Sequence, residues 1–87
     1  MEFNGLKLEE NVKVELIGTH NNISVSNLLF KWSRRSIYEG IFESSLAEKA
    51  SCSMHNGNTY KLHINDTIMY VHCDGEYACF GTSIEHK

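Results

Sequence analysis

A chain of 87 residues is long enough for one domain and too short for two, since it buries only about 60–65% of its extended surface. Its 41% hydrophobic and 22% charged content excludes a disordered chain. A net charge of −3 argues against a generally basic nucleic-acid binder, whose affinity rests on phosphate contacts. A single folded domain over 1–87 is expected. No apolar run approaches the roughly 18 residues needed to span a bilayer, and MEFNGLKLEENVK lacks the charged-then-apolar layout of a signal peptide. The expected location is therefore the cytoplasm, with no membrane partner. Three cysteines cannot complete a disulfide framework, and reduced thiols are the default without secretion.

With no proline in the chain, turns must rest on Gly, Asn, Asp and Ser. Val12, Val14 and Leu16 alternate with Lys13 and Glu15, the period-two pattern of a half-buried strand over 12–17. After the turn-rich GTHNN, Ile23 and Val25 alternate with serines before the phase shifts at Asn27 to Leu28, Phe30 and Trp32. That shift predicts a second strand with a bulge, paired with the first as a hairpin. A helix capped by Ser26 is the rival.

Over 33–50, Ile37, Ile41 and Leu46 or Ala47 recur near helical spacing, and SLAEKA is rich in helix formers. One central helix is expected there, against a strand at 36–43 followed by a short helix.

The C-terminal part is the most regular. After the turn signal NGN at 56–58, Tyr60, Leu62 and Ile64 alternate with polar residues, and the pattern resumes at Thr67, Met69, Val71 and Cys73. A two-residue turn at Asn65-Asp66 sets Ile64 opposite Thr67 and Leu62 opposite Met69, so both strands turn one apolar face the same way. A second two-residue turn at Asp74-Gly75 would set Glu76 opposite Cys73, Ala78 opposite Val71 and Phe80 opposite Met69. The meander's core face is then Tyr60, Leu62, Ile64, Met69, Val71, Ala78 and Phe80. Its other face carries Ile68, Tyr70, His72, Tyr77 and Cys79. The expected fold is α+β, an antiparallel sheet of five to six strands built from two hairpins and a meander around one helix, with a small all-β barrel as the alternative.

Chemistry offers several weak constellations. Cys52 and His55 form a C-x2-H pair that Cys73 and Cys79 would complete as a zinc set. The two-residue register at Asp74-Gly75, however, sends Cys73 and Cys79 to opposite faces, and only a three-residue loop would unite them. No metal or other cofactor is expected. No nucleophile elbow, phosphate loop or zincin motif occurs, and His72 and Cys73 point apart on a strand, so no enzyme is expected. FKWSRR gathers Lys31, Arg34 and Arg35 around two aromatics, the composition of single-stranded nucleic-acid binders. Glu39, Glu43 and Glu48 dilute that field, which leaves a small zinc-stabilised or single-stranded nucleic-acid-binding module as the alternative.

Protein recognition fits best. Aromatic residues are enriched where partners bind, and the less apolar face supplies them. The expectation is a stoichiometric binder of the inhibitor, immunity or adaptor type that occludes a partner surface. Its contact residues would be Trp32, Tyr70, His72, Asp74, Glu76 and Tyr77. An edge strand offers a further route, to a homodimer.

Overall fold

The computed structural model describes residues 2–3, 6–7, 12–33, 46–47, 54–64 and 66–87, with Trp32 and the residues of the first two strands described by backbone alone. Strands β1 (Glu2–Phe3) and β2 (Leu6–Lys7) pair as a short antiparallel ladder. The main sheet takes β3 (Val12–Gly18), β4 (Ile23–Ser33), β5 (Thr59–Ile64), β6 (Thr67–Asp74) and β7 (Tyr77–His86). It is antiparallel throughout, in the order β3-β5-β6-β7-β4. The sheet is open. Only Leu46 and Ala47 carry helical backbone among the described residues. The helix expected over 33–50 lies otherwise outside them.

The meander follows its alternation. Ile64 pairs with Thr67 and Leu62 with Met69, as a two-residue connection demands. At the next turn the register differs from expectation: Asp74 pairs with Tyr77 and Cys73 with Ala78, so the loop is Gly75-Glu76. Gly75 sits at φ +58°, and a two-residue hairpin with glycine at its first central position needs just that left-handed residue. Because the slip is two residues, every side chain keeps its face. The opposing partners change: Phe80 lies opposite Val71, and Cys79 opposite His72.

One lateral row of apolar residues crosses all five strands, from the exposed rim at Leu16 through the buried centre at Tyr60, Val71 and Phe80 to half-buried Phe30. Leu16 pairs with Tyr60, Tyr60 with Val71, Val71 with Phe80 and Phe80 with Phe30. The Phe30 and Phe80 rings stack with centroids 4.5 Å apart and planes 20° apart, worth about 0.5–1.5 kcal/mol beyond the buried area. Val12, Val14, Leu62, Cys73 and Ala78 extend the cluster, and Leu46 is buried against it from the connection between β4 and β5.

The hairpin expected between β3 and β4 does not form. The two strands stand at opposite edges of the sheet, so the residues 19–22 join one edge to the other. The turn closes on itself, the Asn22 N–H donating to Thr19 O at 3.1 Å, but no ladder between β3 and β4 continues from it. His20 and Asn21 both adopt left-handed backbone, at φ 56° and 58°, and the Asn21 N–H donates to Gly57 O at 3.0 Å. A Cβ on Gly18 would stand 2.7 Å from Ile23 Cδ1, so the start of β4 lies directly over the end of β3. The bulge in β4 is present: its register shifts between Leu28 and Phe30, and Asn27 has φ 51°. There β4 folds closely over β7, since a Cβ on Gly81 would lie 2.5 Å from Ser26 O and would also strike Val25 Cγ1.

Candidate functional site

The sheet face away from the core divides into a covered part and an open part. Gly18, Thr59, His72, Cys79 and Lys31 form one lateral row across the five strands. The covered part lies at its centre. The Thr59 hydroxyl donates to Ile23 O at 2.9 Å, and its Oγ1 lies 2.6 Å from His72 Nδ1. On the ring's other side, His72 Nε2 lies 2.9 Å from the Asn21 side-chain amide. His72 is 6% exposed. Burial pushes its pKa below the ordinary imidazole range, with nearby Asp74 opposing and Lys87 reinforcing the shift.

The sequence places His72 among the partner-contacting residues, and this geometry removes it from that role. Its two nitrogens are engaged by Thr59 and by the turn that carries Asn21, and β4 covers it. The imidazole therefore fastens the turn between the two edge strands onto the meander. Thr59 is legible from the sequence, because extending the Asn65-Asp66 register by five residues sets it opposite His72. Asn21 is not, since only tertiary folding brings it near.

The open part is the tip of the β6–β7 hairpin. Asp74, Glu76 and Tyr77 are all exposed, Tyr77 to 48%. Tyr77 pairs with Asp74 on one side and Ser33 on the other. Lys31 Nζ stands 5.9 Å from the centroid of the Tyr77 ring, within cation–π range. The sequence groups Lys31 in a nucleic-acid patch with Arg34 and Arg35, which lie outside the described residues. Here it flanks an aromatic ring and an acidic turn. Trp32, in β4, pairs with Ala78 of β7.

Tyr70 does not join this tip. It pairs with Gly81, four residues along β6 from Asp74, or about 13 Å at strand rise. The expected cluster of Tyr70, His72 and Tyr77 side by side is thus dispersed by the two-residue register slip. Half-buried Tyr70 shares the far end of the same face with exposed Ile68, while His72 lies beneath β4.

The cysteines also separate. Cys73 is fully buried in the core, and Cys79 is half-buried on the opposite face. They can share neither an ion nor a disulfide. His55 is exposed beside the 56–57 turn, and Cys52 lies outside the described residues. Among the described residues no group of three or more His, Cys, Asp or Glu side chains is placed to hold a metal, and no helix is long and apolar enough to cross a membrane. Burial raises the Cys79 thiol pKa, with Asp74 adding to the rise and Lys31 opposing it; a raised pKa disfavours the reactive thiolate.

In comparisons with protein-family models, curated proteins and solved structures, nothing matches this chain. The class of molecule is therefore defined by its own geometry, a small compact domain built on an antiparallel five-stranded sheet.

Proposed function

We propose that the protein acts by stoichiometric binding to another protein, without catalysis, in the manner of an inhibitor, immunity protein or adaptor. The observation that carries this reading is the hairpin tip. It presents an exposed Tyr77 ring between Asp74 and Glu76, with Lys31 beside it. A large ring held by strand pairing loses little conformational freedom on binding, and such aromatics dominate interface energies. The two carboxylates at the turn suit a partner surface of positive charge, which they would steer toward the ring and help to occlude. Lys31 then holds the ring's orientation from the adjacent strand. The reading places the protein in the cytoplasm.

The test is affinity capture from the native cell with the full chain, identification of the retained protein by mass spectrometry, and titration of that purified partner. Tyr77→Ala should weaken the complex by roughly tenfold or more, the effect of a central aromatic anchor. Asp74→Asn with Glu76→Gln should slow association and flatten its salt dependence. A partner that binds the Tyr77→Ala chain as tightly as the unaltered one would remove the tip from the site. Retention of nucleic acid in place of protein would overturn the reading.

A further inference from the structure

The sheet has two edges of different character. β4 is bulged between Leu28 and Phe30 and kinked at Asn27, φ 51°, and such irregularity blunts an edge against pairing. β3 keeps an unbroken register with β5 from Val12 to Leu16, and the shift comes only beyond it, between Leu16 and Gly18. Among the described residues, no strand pairs with the outer side of β3. A regular strand with one unpaired side is a template for another strand.

The sequence of this edge is complementary to itself. Lys13 and Glu15 flank Val14 symmetrically, both exposed and both on the face away from the core. Val12 and Leu16 flank it symmetrically on the core face. When two such strands run antiparallel with Val14 opposite Val14, Lys13 falls opposite Glu15 and Glu15 opposite Lys13. Val12 meets Leu16 at both ends. Opposite charges directly across an antiparallel pair are favourable, and only this register puts both charge pairs in contact. Leu16, 41% exposed at the rim of the core, gains an apolar neighbour. Within its own chain Glu15 faces Lys61 and lies 3.5 Å from His63 Nε2, while Lys13 faces His63. The Glu15 carboxylate thus already has the Lys61 cation across the strand pair, and the second copy's Lys13 adds another.

We propose that β3 is the interface of an antiparallel homodimer, two copies of this chain joined edge to edge about a two-fold axis through Val14. The contact is isologous, so it closes as a dimer and does not propagate. The proposal is independent of the hairpin tip: it uses different residues on a different edge, so either can fail alone.

Sedimentation equilibrium of the full chain over a concentration series tests it, with circular dichroism confirming that each variant is folded. The unaltered chain should show a monomer–dimer equilibrium. Lys13→Glu alone sets like charges opposite Glu15 twice and should raise the dimer dissociation constant by roughly tenfold or more. Glu15→Lys alone should do the same through two lysine pairs. An equimolar mixture of the two single variants should restore dimerisation, because one strand then carries two carboxylates and the other two ammonium groups, each directly opposite its counterpart. A chain that stays monomeric to its solubility limit, or single variants that dimerise as the unaltered chain does, would overturn the proposal. Failure of the mixture to recover would overturn the register.

Discussion

Thr59 Oγ1 and His72 Nδ1 lie 2.6 Å apart in the buried row of the sheet, and a single hydroxyl proton decides what the imidazole can do there. With that proton donated to Ile23 O at 2.9 Å, Nδ1 must carry the hydrogen that reaches Thr59. A neutral ring then turns a lone pair at Nε2 toward Asn21 Oδ1, which stands 2.9 Å away and can only accept; the pair closes as a hydrogen bond when the carboxamide is flipped to bring its NH2 inward or when the ring is protonated. The turn of Asn21, the strand of Thr59 and the start of β4 are thereby tied through one ring. Thr59→Val keeps the volume and removes the hydroxyl, leaving His72 Nδ1 and Ile23 O without it. Urea unfolding should show a loss of about 1–3 kcal/mol at unchanged m value.

The same ring predicts a pH dependence. Its pKa is lowered in the fold, chiefly by burial, so the unfolded chain takes up a proton more readily than the folded one. Stability from this group is therefore fully present above the ordinary imidazole value of about 6.5 and is lost as pH falls through it toward the lowered folded value. Asn21→Asp puts a carboxylate beside Nε2 and should raise the folded pKa, which an NMR titration of the His72 ring protons reads directly. A titration unchanged by Asn21→Asp would show that the two side chains do not interact.

Gly81 and Gly75 should respond differently to alanine. At Gly81 the added Cβ would meet the Ser26 carbonyl and the Val25 side chain, and the backbone atom cannot swing away. Gly81→Ala should cost about 1–3 kcal/mol or more and lower the melting temperature accordingly. A Cβ added at Gly75 would meet nothing within 4 Å, but φ is +58°, so Gly75→Ala costs about 1–2 kcal/mol through backbone strain. Gly75→Asn should recover part of that loss, because asparagine tolerates the left-handed region, while Gly81→Asn should not.

Leu62 is fully buried at the centre of β5, among the residues of the core cluster. Leu62→Ala should cost about 2–5 kcal/mol, a large share of the stability of a domain this small. Leu16→Ala at the exposed rim should cost far less in the monomer, and chemical denaturation of the two variants side by side measures the contrast.

Thiol reactivity should separate Cys73 from Cys79. Under native conditions, alkylation mapped by peptide mass spectrometry should mark Cys79 slowly, faster as pH rises toward its raised pKa. Cys73, with no exposed surface, should react only on unfolding. Mild oxidation should yield no bridge between them.

The alternation at 12–16, 60–64 and 67–73 is legible because period two has one physical meaning, a strand with one buried face. Where a short turn confines the register, as between Ile64 and Thr67, the sequence determines which residues oppose one another. At Asp74-Gly75-Glu76 the composition allows glycine in either central place, and the register slips by two without moving any side chain to the other face. The core face follows from the pattern alone, and so does the parting of Cys73 from Cys79.

What only the tertiary structure decided is which strands are neighbours and how much of each face stays open. β3 and β4 are joined by a short turn and still stand at opposite edges; the turn closes through the Asn22 N–H to Thr19 O, and Asn21 ties it to Gly57 and His72. Periodicity specifies a face and is blind to what lies over it. His72 and Tyr77 carry the same face assignment in the sequence. β4 folds across the first and leaves the second in solvent, and that difference is set by long-range packing that no local pattern encodes.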